Sequence, residues 1–322
     1  MFYGIEVCMA NRIKISSIGA KALSVDVSVT YQDMVRQMLS YWDAKLRQVL
    51  PDQPDLIVLP EMCDLPEGLS NEKELDYYQQ GQDLLFEFFT GQARKHKCYL
   101  VYPTIRTLED NSRRNSCMVL DRQGTVAGIY DKNHIVISEN TERWTLCGSQ
   151  APLIDCDFGK IACAICFDLN FDPLRSKYIA ARPDLLVFPS LFHGGLQQAW
   201  WAYSCRCHFV AAVSGHAVPS QIRNPHGNVL ASTTNYIDYV TASVNLDCKL
   251  VHLDENREKL VALKEKYKTQ VDINDPGLFG SVLVTSESEA VDVNDMLGEF
   301  NIELLDDYLQ RSLKFHLQHG AD

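Results

Sequence analysis

Apolar positions along the chain follow two alternating rhythms. Ile13, Ile15 and Ile18, then Val25, Val27 and Val29, give residues 12–29 the loose two-residue spacing of a strand. From Tyr31 to Leu50 the spacing becomes helical, with Met34, Met38, Tyr41 and Leu46 on one face. Thr30 can cap the start of that helix, and Pro51 and Pro54 end it. Leu56–Leu59 is apolar without interruption, as in a strand covered on both faces. Residues 81–97 return to helical spacing and Cys98–Pro103 to a strand. Met118–Asp121 and Thr125–Tyr130 flank a Gln123-Gly124 turn, which predicts a hairpin. A turn at Asp157–Lys160 leads into the apolar run that ends at Cys166. A helix over Pro173–Ala181, a strand over Leu185–Pro189 and a helix over Gln197–Cys207 follow. Strand Phe209–Val213, a hairpin around His226-Gly-Asn228 and strand Tyr239–Leu246 complete the series.

Strands alternating with helices in this way indicate an α/β protein in several layers. The rhythm fades after Asp247. Charges cluster in Asp254–Lys268, polar residues dominate Ser286–Asp295, and Asn301–Leu317 has the spacing of a last amphipathic helix. This stretch is expected to pack as a tail on the preceding domain or on a neighbouring subunit.

Composition narrows the function classes. The 322-residue chain is 46% hydrophobic and 22% charged, ordinary values for a globular enzyme. A formal net charge of −12 argues against nucleic acid or an anionic membrane as the main partner, since both call for a basic footprint. No apolar run is long enough to span a bilayer, and the first residues lack the basic and apolar regions of a secretory signal. Eleven cysteines, several inside apolar strands, then read as reduced thiols in the cytosol.

Three residues stand where chemistry could occur. Cys166 ends the run Lys160-Ile-Ala-Cys-Ala-Ile-Cys166 and precedes Asp168 and a proline-containing helix start. A thiol there lies near turn N–H groups and a helix N-terminus, which would favour its thiolate. Glu61 closes Leu56-Ile-Val-Leu-Pro-Glu61, and Lys132 lies in Ile129-Tyr-Asp-Lys-Asn-His-Ile135. Each has a plainer reading, as an exposed strand-end glutamate, a loop lysine and a packed cysteine. Cys163-Ala-Ile-Cys166 could also suggest a redox or metal pair. Residues three apart on a strand point to opposite faces, however, so Cys163 should pack while Cys166 sits beside the small Ala162 and Ala164. Neither this pair nor Cys205 and Cys207 has a matching ligand pair in a zinc arrangement, so no metal is expected.

The order of the three motifs resembles the nitrilase superfamily, the carbon–nitrogen hydrolases, from about residue 12 to about residue 247. Pro60-Glu61 matches the family's glutamate segment, and Tyr130-Asp-Lys-Asn-His-Ile135 its Tyr-x-Lys-x-His-Leu segment. Ile165-Cys-Phe-Asp-Leu-Asn-Phe-Asp-Pro-Leu-Arg175 matches its cysteine segment, with the proline displaced by one. Ala162 stands where the family usually has glycine, and Ala202-Tyr-Ser-Cys-Arg206 replaces an Arg-Ala-x-Glu-Asn helix segment.

The resemblance implies a four-layer α-β-β-α sandwich over residues 10–250, with residues 251–322 as a C-terminal extension. It implies a cytoplasmic hydrolase of non-peptide C–N bonds, foremost an amidase on a small amide, that needs no cofactor and assembles as a homodimer or larger homo-oligomer. Cys166 would be the nucleophile, Glu61 the general base and acid, and Lys132 the cation at the oxyanion together with the backbone N–H of Phe167. A second glutamate is expected between Lys132 and Cys166, with Glu142 preferred to Glu139. His134, Phe192 and His193 are candidates for the substrate-lining wall, although His134 could instead orient the lysine loop and His193 could be a solvent-exposed loop residue. A nitrilase, an N-carbamoyl amidohydrolase and a catalytically silent scaffold on the same fold remain the alternatives. Leu169-Asn170, where one carbamoyl-hydrolysing branch has paired arginines, weighs against the second of these.

Overall fold

The computed structural model describes residues 10–215 and 218–320. They divide into a unit of residues 13–244 and another containing residues 10–12 and 245–320.

The larger unit is built on two six-stranded sheets. The first contains β1 (Arg12–Ile18), β2 (Leu56–Val58), β3 (Tyr99–Thr107), β4 (Arg113–Leu120) and β5 (Val126–Asp131). The second contains β6 (Ile154–Cys156), β7 (Gly159–Cys163), β8 (Leu185–Ser190), β9 (His208–Val213), β10 (Gln221–Arg223) and β11 (Val229–Ser232). Strand β12 (Tyr239–Asn245) returns to the first, giving the orders β12-β1-β2-β3-β4-β5 and β11-β10-β9-β8-β7-β6. The centre of each is parallel, β1-β2-β3 in one and β7-β8-β9 in the other, with antiparallel strands toward the edges. Parallel strands need both faces covered. That is why β2 and β8 are buried along their full length.

Helices α1 (Tyr31–Val49) and α2 (Asn71–His96) cover the outer face of the first sheet. Met34, Met38, Trp42 and Leu46 of α1 pack with Phe89 of α2 against Ile57, Leu100 and Tyr102. Thr30 caps α1, its side chain accepting from the Asp33 N–H. The short α3 (Ile137–Thr141) follows β5, and α4 (Asp172–Ala181) and α5 (Leu196–Cys205) pack on the second sheet. There the Tyr178 hydroxyl donates to the Cys163 carbonyl at 2.7 Å. The inner faces meet where Ser17 Oγ donates to the Ala211 carbonyl at 2.6 Å and the Cys117 and Cys163 thiols hydrogen-bond. Residues 13–244 thus form an α-β-β-α sandwich.

Two expectations need correction in this unit. β1 ends at Ile18, and Val25 and Val29 pack as loop residues against the α1–α2 core instead of continuing a strand. Helix α2 starts at Asn71, well before residue 81, because Ser70 caps it by accepting from the Lys73 N–H.

The smaller unit has more structure than a tail. β13 (Cys248–His252), β14 (Val271–Asn274) and β15 (Ser281–Ser286) form an antiparallel sheet in the order β13-β15-β14. With α6 (Arg257–Tyr267) and α7 (Val293–Glu299) it encloses a core of Val251, Leu263, Val271, Val282, Val284 and Met296. Its strands are too short, and too closely flanked by charges, for their alternation to stand out in the sequence. Helix α8 (Leu305–His319) buries Leu305 but leaves Leu309, Leu313, Phe315 and Leu317 exposed.

Candidate active site

Strand ends from both sheets meet at one point of the larger unit. Glu61 follows β2 and is 2% exposed; Lys132 follows β5 and is 1% exposed. The Lys132 ammonium donates to Glu61 Oε1 at 2.8 Å and to Glu139 Oε2 at 2.7 Å. Burial alone would push the lysine pKa down, but the two carboxylates outweigh it and hold it above its usual range. An ammonium has three protons, so two salt bridges leave one available to a ligand.

The glutamate in contact with Lys132 is thus Glu139, and Glu142, the candidate preferred from the sequence, makes no such contact. Glu139 lies in α3 and its Oε2 also accepts from the Val136 N–H at 2.8 Å, whereas Glu142 is exposed at the end of that helix. Glu142 is the C-cap residue, outside the helix proper, so the shared face expected of residues three apart in a helix does not extend to it.

Cys166 begins a 3-10 turn, Cys166–Asn170, beyond β7. The strand stops at Cys163, so the expected alternation of faces does not extend to the thiol. Cys163 pairs with Cys117 between the sheets, not with Cys166. Cys166 has φ +49°, a backbone region that non-glycine residues seldom occupy and that is often found at functional positions. Its side chain lies beside Glu61 and near the Leu191 N–H, which donates to Glu61 Oε2 at 3.2 Å. Burial and the Glu61 charge push the thiol up to about 12 against the pull of Lys132. This overturns the expectation of a standing thiolate: the sulfur keeps its proton, and a base stands next to it. The Phe167 N–H falls in the first turn of the 3-10 segment, where helical N–H groups have no partner within the helix.

Two further carboxylates, both missed in the sequence, hold these groups in place. Asp168, fully buried, accepts from the Ile165 N–H at 2.9 Å, the Tyr130 hydroxyl at 2.7 Å and the His134 N–H at 2.9 Å. It so ties the cysteine turn to the lysine loop. His134 Nδ1 lies 3.0 Å from the same carboxylate and its ring stacks on Phe171 at 4.0 Å. These contacts fix the histidine against the cysteine turn. Asp64, three residues after Glu61, is also fully buried and accepts hydroxyls from Tyr78 at 2.9 Å, Thr104 at 2.7 Å and Tyr102. Burial raises its pKa while the three hydroxyls oppose the shift. It anchors the turn in which Met62 takes a left-handed backbone, φ +47°.

A cavity of about 260 Å³ opens beside Glu61, walled by Trp42, Met62, Leu65, Leu69, Arg143 and Leu191 among others. Arg143 pairs in that wall with Glu74 at 3.1 Å. The cavity and the surroundings of the thiol share Glu61 and Leu191; Cys166, His134, Phe192 and His193 lie outside its wall. Phe192 packs edge-on against Phe188, and His193 Nδ1 accepts from the Gly195 N–H at 3.1 Å. Both lie in the loop that follows β8, outside this cavity's wall.

Comparison with known proteins agrees with this geometry. The family model for carbon-nitrogen hydrolases matches residues 18–247. "Nitrilase homolog 2" of Dictyostelium discoideum is 23% identical over 236 residues, covering 66% of this chain and 70% of that protein. "Omega-amidase NIT2" of Homo sapiens is 23% identical over 269 residues, covering 76% and 93%. An amidase from Nesterenkonia sp. has a similar solved structure, with TM-score 0.61, 15% identity and coverage of 81% of this chain and 99% of that one. No described helix is long and apolar enough to cross a membrane.

Proposed function

The chain belongs to the carbon–nitrogen hydrolase family of the nitrilase superfamily, and within it we propose a thiol amidase that cleaves a small carboxamide through Cys166, Glu61 and Lys132. One observation carries this reading. The carboxylate beside the Cys166 thiol, that of Glu61, is itself held by a buried ammonium at 2.8 Å.

In the proposed reaction the thiol proton passes to Glu61 as sulfur attacks the amide carbonyl. The resulting oxyanion is met by the third proton of Lys132 and the Phe167 N–H. Glu61 then returns the proton to the departing nitrogen, ammonia leaves, and a thioester remains. Water gives its proton to Glu61, adds to the thioester and releases the carboxylic acid with the thiol restored. An amide needs both the acid and the base role of Glu61. The same groups could hydrolyse a nitrile, the thiol adding to the nitrile carbon and two waters being consumed to release ammonia and the carboxylic acid, which is the second reading. Ammonia release from a panel of aliphatic amides, nitriles and N-carbamoyl compounds tests the choice. We expect amides to lead the panel and Cys166→Ala and Glu61→Gln to abolish turnover, a loss of roughly a thousandfold or more. Full activity in Cys166→Ala, or release from nitriles alone, would refute the amidase reading.

A further inference from the structure

Asn115 sits in the middle of β4, completely buried, and bears no motif that marks it in the sequence. Its carbonyl accepts the backbone N–H of Lys132 at 2.8 Å, so the strand itself sets the height of the lysine. Its side-chain amide donates one proton to Glu61 Oε1 at 2.8 Å and the other to Glu139 Oε1 at 3.0 Å. The reverse orientation would face an oxygen toward two carboxylates, so the amide has one usable setting. Its Oδ1 is buried with no hydrogen-bond partner among the described residues. An unsatisfied buried acceptor costs about 1–3 kcal/mol. A side chain serving packing alone would not be retained for two donors at that cost.

The two oxygens of Glu61 are consequently unequal. Oε1 receives both the Asn115 amide and the Lys132 ammonium, which occupy its in-plane lone pairs. Oε2 receives one backbone donor, the Leu191 N–H, at the longer distance of 3.2 Å, and retains a lone pair. We propose that Asn115 is a positioning residue of the hydrolysis, reserving Glu61 Oε2 as the oxygen that exchanges the proton with the Cys166 thiol and the leaving nitrogen. By donating to both glutamates it also allows two carboxylates to share one ammonium. The inference rests on the Cys166–Glu61 reading given above.

The test is the pH profile of kcat/KM for ammonia release, measured on the best amide of the panel, in wild type, Glu61→Gln and Asn115→Leu. The titratable groups facing Glu61 are Lys132, Glu139 and Cys166. Without the amide donor Glu61 loses one of the two groups that hold Oε1, so the acid limb of the profile should leave its wild-type position. We expect kcat to fall by at least roughly tenfold while KM stays within about twofold, since Asn115 hydrogen-bonds to the base and not to the substrate. A merely structural asparagine would lower the active fraction and leave the limb where it is; that result overturns the inference. Should the leucine variant not fold, Asn115→Asp retains the volume. The introduced acid can donate only while protonated, so its activity should decline as pH rises where wild type is level, and a wild-type profile would again overturn the proposal. Absence of ammonia from every amide sinks the amidase reading and this inference together. Turnover lost in Glu61→Gln, with an unmoved limb in Asn115→Leu, sinks the inference alone.

Discussion

The two halves of the active site are built differently. On the side of the first sheet, Glu61, Lys132, Glu139 and Asn115 are closed off from solvent and joined by hydrogen bonds of 2.7–3.0 Å. On the side of the second sheet, Cys166 is half-buried, lies on a left-handed backbone position and keeps its proton. The charged groups gain from a dry setting, where each hydrogen bond is stronger and no partner can exchange for water. A nucleophile would have to be reached by substrate, so Cys166 could not be sealed in the same way. In the proposed reaction one half would hold charge and move a proton, and the other would present the atom that reacts.

The harshest way to break the comparison is to remove Lys132, on which the dry half depends. Lys132→Ala would leave Glu61 and Glu139 buried together with no cation between them. Taking one partner from a buried ion pair costs about 3–5 kcal/mol, so the variant should lose stability as well as turnover. An ordinary loop lysine would lose activity without that penalty. Urea denaturation of wild type and variant separates the cases, and equal midpoints would show that the cluster is not a sealed unit.

A more selective intervention keeps the dry half folded and changes only the charge felt by the thiol. The Cys166 pKa lies at about 12 through burial and the negative charge of Glu61. A raised pKa means that the protonated form persists as pH climbs, so alkylation by iodoacetamide should be slow near pH 7 and accelerate steadily into the alkaline range. Removing the Glu61 charge favours the thiolate, with Lys132 still in place. Glu61→Gln should therefore react faster than wild type at pH 8, by roughly tenfold, while turning over no amide. Mass-spectrometric rates at Cys166 check this, and a variant slower than wild type would mean that Glu61 activates the thiol in the resting state instead of holding its proton.

The legible parts of this site were those placed at the ends of apolar runs. Glu61, Lys132 and Cys166 each interrupt a hydrophobic stretch with a polar group, and such an interruption is visible without a structure. The sandwich was readable for a related reason, because doubly covered strands such as Leu56–Val58 and Leu185–Ser190 are continuously apolar. Asn115 was hidden because it lies in the polar run Arg113-Arg114-Asn115-Ser116 that opens a strand, and such a run ordinarily signals an exposed strand end. Asp64 and Asp168 were hidden because their partners come from distant segments, up to 40 residues away for Asp64. The thiol's protonation could not be read either. It depends on the balance of burial, one carboxylate and one ammonium, and sequence order supplies none of these magnitudes. Strands β14 and β15 escaped notice because alternation over four and six residues is weak beside charged helices.

The mildest test concerns two glutamates separated by one helical turn. Glu139 is buried, receives the Lys132 ammonium, the Asn115 amide and the Val136 N–H, and belongs to the dry half. Glu142 is exposed at the C-terminal end of α3. Glu139→Gln keeps the shape but replaces one acceptor oxygen with a donor, leaving an N–H group facing either Asn115 or Lys132. A shift of Lys132 by even an ångström should then cost roughly a hundredfold in turnover. Glu142→Gln changes a solvated charge, so its stability should stay within about 0.5 kcal/mol of wild type and its turnover should be the same. Parallel measurement of ammonia release and urea midpoints for the pair decides the matter. If Glu142→Gln were the damaging substitution, the sealed cluster would have been assigned the wrong carboxylate, and the contrast between a dry half and an open one would have to be redrawn around α3.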